Sequence, residues 1–176
     1  MHFPSQLLQE HSLSNTLFIT QYIEEDAEKF AALMEIFLGD NYRLTQRAAW
    51  VVSHVAEAHP HLLKLYYKRF IKHLNQPNKH DAVKRNTMRV LQFIEVPKAY
   101  WGALADICLR FVADKKEPIA VRAFSLTVLA NLCKKQPDLK NEILLLIEDL
   151  LPYASAGLKN RALRVRGELE SISTIF

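Results

Sequence analysis

Leu44-Thr45-Gln46-Arg47-Ala48-Ala49-Trp50-Val51-Val52-Ser53-His54-Val55 sets the register of the chain, because its order of large, small and branched residues returns three more times. The first apolar position reads Leu44, Val83, Val121 and Leu158, at successive spacings of 39, 38 and 37. Four residues on stands a small side chain each time: Ala48, Thr87, Ser125 and Ala162. Three further come Val51, Val90, Val128 and Val165, then Val55, Ile94, Leu132 and Leu169. Offsets of 4, 7 and 11 fall on one face of an α-helix. A small residue in the middle of such a face lets a neighbouring helix approach closely, so the pattern predicts helices stacked in layers.

The position after the first apolar residue reads Thr45, Lys84, Arg122 and Lys159. The first three copies are followed by Pro60, Pro97 and Pro137, and each proline by a second amphipathic stretch. Proline suits a first helical turn, where its missing N–H would have no partner anyway. Each unit therefore reads as helix A, short turn, helix B. Val121-Arg122-Ala123-Phe124-Ser125-Leu126-Thr127-Val128-Leu129, followed by Pro137, resembles the HEAT repeat, whose A helix carries a Val-Arg pair ahead of a small and a large apolar residue. The likeness runs roughly from Leu44 to Leu169, and the third unit is the one good literal match. It implies an all-α fold, a right-handed α-α superhelix (a HEAT/ARM-like solenoid) of about four and a half helical hairpins, acting as a binding surface. It also implies a structural role for Lys84, Arg122 and Lys159, and none for Thr45.

At 176 residues the chain is long enough for one packed domain, and 49% hydrophobic with 24% charged residues is a globular composition. Only four glycines argue for few tight turns and hence for helices. Cys108 and Cys133 each fall on the apolar part of a predicted helix, which points to buried free thiols and a reducing cytoplasm. Residues 1–20 lack a basic opening followed by a long apolar core, and no apolar run has the length of a bilayer span, so a cytoplasmic protein without membrane attachment is expected. Charge is uneven. Residues 1–40 hold one basic and seven acidic residues, a net of −6, whereas the rest holds 22 basic and 12 acidic, a net of +10. Within a single domain over 1–176, residues 1–40 then read as a degenerate acidic capping hairpin and 41–176 as HEAT-like repeats.

In chain order, residues 1–13 read as a loose lead-in with a short turn at Ser5–His11. A helix follows from a cap at Ser14 or Asn15 to about Glu24. The next starts near Asp26, carries Phe30, Leu33, Met34, Phe37 and Leu38, and ends at Gly39. Unit one has helix A at 41–58 and helix B at 60–74, with Leu62, Leu65, Tyr66, Phe70 and Leu74 inward. Unit two covers 81–113, with Tyr100, Leu104, Ile107, Cys108 and Phe111 inward. Unit three covers 117–151, and its B helix is acidic outside through Glu142, Glu148 and Asp149. A last A helix at 156–172 places Arg166 where the earlier copies have Val52, Leu91 and Leu129, so the stack is expected to end there.

Two surfaces stand out. Trp50 lies nearly opposite Ala48 at about 100° per residue. Arg89 and Arg164 take the same outer position in later units, with Arg47 and Arg161 beside that line. These are the residue types that anchor protein interfaces. The other reading has Trp50 covered by the N-terminal hairpin and the arginines solvated. Lys64, Lys68 and Lys72, joined by Arg69, form a basic B-helix stripe that suits phosphates or is simply a solvated face. Trp101, Asp106 and Arg110 share one B helix, which raises a likeness in architecture alone to DNA alkylation-repair glycosylases. His54, His59 and His61 cluster around the end of the first A helix, but His59 and His61 flank Pro60 in a turn and should diverge, so no metal site is expected. With no Gly-rich phosphate loop, serine elbow or Cys-His dyad, neither cofactor nor small-molecule substrate is expected. The sequence therefore reads as a non-catalytic scaffold binding another protein, with a nucleic-acid-binding module as the alternative.

Overall fold

The computed structural model describes residues 1–76 and 81–172. Among these there are α-helices and 3-10 turns and no strand. The chain divides into two compact units, Met1–Val96 and Pro97–Phe176. The first holds α1 (Phe3–Gln9), α2 (Leu13–Ile23), α3 (Ala27–Phe37), α4 (Tyr42–Ala58), α5 (Tyr67–Leu74) and α6 (Asp81–Leu91). The second holds α7 (Trp101–Ala113), α8 (Ile119–Cys133), α9 (Lys140–Leu150) and α10 (Ala156–Glu170).

In the first unit α4 is the hub, packing against α1, α2, α3 and α6. Its buried face mixes alanines with valines (Ala48, Ala49, Val51, Val52, Val55 and Ala56), so the neighbouring helices can come close. Phe30, Phe37 and Phe70 fill the layer behind, with Phe30 edge-on to Tyr66 at 5.6 Å and Phe37 edge-on to Phe70 at 6.1 Å. In the second unit α8 lies against both α7 and α10, while α9 touches α7 and α10. This is the layered arrangement that the repeat predicts. All four small positions, Ala48, Thr87, Ser125 and Ala162, are 0% exposed. The two hydroxyls among them are satisfied within their own helices, Thr87 Oγ1 donating to the Val83 carbonyl at 3.0 Å and Ser125 Oγ to that of Val121 at 2.8 Å.

In two of the four copies the position after the first apolar residue fastens the A helix to the end of the helix before it, by different chemistry in each. Arg122 donates from Nε to the Val112 carbonyl at 3.0 Å, closing an orphan acceptor at the C-terminus of α7. Burial, opposed by Asp114, holds its guanidinium below the ordinary arginine value. Thr45, given no role by the resemblance, does the same work at the end of α3, its hydroxyl facing the Ile36 and Gly39 carbonyls at 3.4 and 3.3 Å. Lys159, expected to be structural, is exposed, and Lys84 pairs with Asp81 of its own helix at 3.5 Å.

Four local expectations need correction. Residues 3–9 are a helix with Phe3 and Leu7 buried, where a loose lead-in was expected. Ser12, rather than Ser14 or Asn15, caps α2, accepting from the Asn15 amide at 3.1 Å. Asn15 is freed to tie α1 to α2, donating from Nδ2 to the carbonyls of Gln6 and Glu10, both at 2.9 Å. The helix expected over 60–74 is split into a 3-10 turn, Pro60–Leu63, and α5. The break changes the register, so Leu62, Leu63, Tyr66 and Tyr67 are buried while Leu65 is 84% exposed. Tyr100, expected inward, is half-buried at the start of α7.

Between α2 and α3 the chain turns sharply at Ile23-Glu24-Glu25-Asp26, where the Asp26 amide donates to the Ile23 carbonyl at 3.0 Å. Glu24 holds φ 46° and ψ −122°, a conformation that favours glycine. Asp26 then caps α3, accepting from the Glu28 and Lys29 amides at 3.0 Å each. The Lys29 amide, above all, holds its carboxyl below the usual aspartate value.

Candidate functional site

The expected ridge falls partly in each unit. In the first, Arg47 donates from Nη1 to the Leu7 carbonyl at 2.7 Å, fastening α1 to α4. Trp50 is half-buried, its ring 5.4 Å from that of His11 and 6.5 Å from that of His54. The segment at residues 3–11 therefore reaches this row. Arg89, half-buried on α6, occupies the corresponding place on the next A helix. In the second unit, Arg161 donates from Nη1 to Thr127 Oγ1 on α8. Burial first, and the neighbouring Arg164 second, hold its guanidinium below the ordinary arginine value. Arg164 is exposed, with Nε 3.7 Å from Glu168. Arg47 and Arg161 thus bind other helices of the protein itself, while Arg164 is exposed and Arg89 half-buried.

The basic stripe is interrupted by the same break that turns Leu65 out. Lys68 and Lys72 share α5 and are exposed, whereas Lys64 lies in the preceding turn. Arg69 forms a two-pronged pair with Glu35 of α3, Nη1–Oε1 2.6 Å and Nη2–Oε2 3.1 Å, and lies over the Tyr66 ring at 5.7 Å. That hydrogen-bonded pair holds the Glu35 carboxyl below, and the Arg69 guanidinium above, their ordinary values. Arg69 is therefore a clamp between α3 and α5. A shallow cavity of about 270 Å³ beside it is lined by Leu38, Arg69, Lys72, His73 and Gln76.

The remaining candidates separate. His59 Nδ1 lies 3.3 Å from Glu25 and its ring 6.1 Å from that of His61. Among the described residues no group of histidines, cysteines or carboxylates converges as metal ligands would. Cys108 and Cys133 are buried free thiols, and burial pushes the Cys108 thiol far up. Asp106 and Arg110 form an exposed ion pair along α7 at 3.1 Å, and Trp101 starts that helix half-buried. No helix among the described residues is long and apolar enough to cross a membrane.

Sequence reasoning missed a groove of about 350 Å³ between α7 and α9. Leu109, Arg110 and Ala113 form one wall, and Glu142, Leu145, Leu146 and Asp149 the other. Leu145 is 62% exposed within it. The α9 residues stand at offsets of 3, 4 and 7, one stripe of that helix, so the signal was present in the sequence. Its carboxylates were read, with Glu148, as the acidic outside of the helix, and the leucines between them were not read with them.

The family model for the HEAT repeat domain matches residues 3–166, a span that includes α1 and the N-terminal hairpin. No curated protein and no solved structure matches the chain. With the match covering nearly its whole length and the small-residue face buried in all four copies, the chain belongs to the HEAT repeat family.

Proposed function

We propose that the protein is a non-catalytic scaffold that binds another protein through the exposed faces of its repeats. The observation that carries this reading is the α7–α9 groove, where Leu145 remains on the surface between exposed carboxylates although the unit buries leucines elsewhere. Scattered surface leucines are ordinary, but a leucine set in a lined concavity has the form of a docking site. The outer row with Trp50 and Arg89 is a second face of interface-type composition. The buried free thiols of Cys108 and Cys133 fit a reducing compartment such as the cytoplasm.

The test is an affinity capture from a lysate of the source organism, with and without nuclease, using the wild-type chain, Leu145→Glu and the Trp50→Ala/Arg89→Ala pair. A protein that survives nuclease and is lost with Leu145→Glu supports the reading. Recovery that disappears with nuclease overturns it and directs attention to Lys64, Lys68 and Lys72 as a nucleic-acid contact.

A further inference from the structure

We propose that the α7–α9 groove docks an amphipathic helical segment in which large apolar side chains stand between two basic residues. This rests on the protein-binding reading above and names the chemistry of the partner. Glu142, Leu145, Leu146 and Asp149 run along α9 as acid, leucine, leucine, acid. Over seven residues the two carboxylates stand about 10 Å apart along the axis. Both are exposed.

On the opposite wall the short side chain of Ala113 leaves room beside Leu109 for an entering apolar group. Arg110, the one cation among the described residues that line the groove, is held by Asp106 through Nε–Oδ2 at 3.1 Å. The lining of the groove therefore presents two carboxylates, Glu142 and Asp149, against one guanidinium that Asp106 already pairs. An acidic segment would meet repulsion at both ends of the leucine pair. A partner helix repeats its own face every seven residues, so lysine or arginine at the ends of that interval and apolar residues at the third and fourth places match the stripe in length and sign.

The test uses fluorescence anisotropy with the full chain and two labelled, alanine-rich helical peptides. They share a central Leu-Leu pair and differ only in carrying lysine or glutamate at the two ends of that interval. The lysine peptide should bind about tenfold more tightly at low salt, since exchanging lysine for glutamate turns two rim attractions into repulsions. The preference should shrink in high salt. The double substitution Glu142→Lys/Asp149→Lys, at exposed positions that leave the core untouched, should reverse it. Equal affinities, binding of neither peptide, or a preference unmoved by the double substitution would overturn the proposal. If Leu145→Glu abolishes capture of the partner while the peptides bind equally, the groove binds protein but this occupant is wrong. If Leu145→Glu leaves capture intact, the protein-binding reading of the groove itself fails.

Discussion

Replacing Arg122 by methionine tests the joint between successive helices. Methionine keeps an unbranched apolar stem and removes the Nε–H that reaches the Val112 carbonyl at 3.0 Å. That carbonyl lies at the C-terminus of α7, where no further turn of helix can supply a donor. A hydrogen bond from a charged donor contributes about 1.5–3 kcal/mol, and the half-buried setting of Arg122 places the loss near the lower end, about 1.5–2 kcal/mol. Thr45→Val removes a neutral donor from contacts of 3.4 and 3.3 Å and should cost less, about 0.5–1 kcal/mol. Lys159→Met, at an exposed position, should stay within about 0.5 kcal/mol of wild type. Urea titrations followed by circular dichroism give all three from the midpoints, provided the slopes agree. A Lys159→Met loss as large as that of Arg122→Met, or a Thr45→Val loss of zero, would refute the assignment of the joint to hydrogen bonding at the end of the preceding helix.

Glu24→Gly should stabilise the protein by about 1 kcal/mol, because strain of about 1–3 kcal/mol at φ 46° outweighs the extra chain entropy of glycine. A melting temperature raised by about 2–4 °C would show it, and a lowered one would contradict the strain. The Arg69 hydrogen bonds hold Glu35 below its ordinary value of 4.5, so its contribution is fully present above that pH and is lost as pH falls through the lower folded value. Both side chains are largely exposed, which limits the effect to below about 1 kcal/mol, and Glu35→Gln should flatten the acid limb of the stability profile by that amount. Cys108, fully buried with its thiolate strongly disfavoured, should react with iodoacetamide only as fast as the protein opens. Labelling of the folded chain at the rate of a free thiol would contradict that placement.

Much of the fold was legible because the repeat is written in side-chain size. Ala48, Thr87, Ser125 and Ala162 could be aligned without identity, and every one is buried. What escaped depends on geometry that periodicity does not encode. The break after Leu63 turns Leu65 outward and divides the lysine stripe, although the apolar spacing over 60–74 reads as a continuous helix. The helix at Phe3–Gln9 is short for its own propensity and gains its place from Arg47, Asn15 and the burial of Phe3 and Leu7. Thr45 looked like an exception to a basic position, yet a hydroxyl and a guanidinium both supply the donor that an orphan carbonyl needs. The ridge was legible as composition, but composition does not reveal that Arg47 and Arg161 turn back onto the protein's own Leu7 carbonyl and Thr127 hydroxyl. For the groove, the missing step was to read Glu142, Leu145, Leu146 and Asp149 as one stripe facing Leu109 and Ala113 across the gap.

Amide hydrogen exchange of the full chain, alone and with its captured protein partner, addresses the binding surface directly. Exchange should slow in the partner's presence over the facing segments of α7 and α9, residues 106–113 and 142–149, with residues 64–74 unchanged. Slowing confined to residues 64–74, or none on α7 and α9, would contradict it.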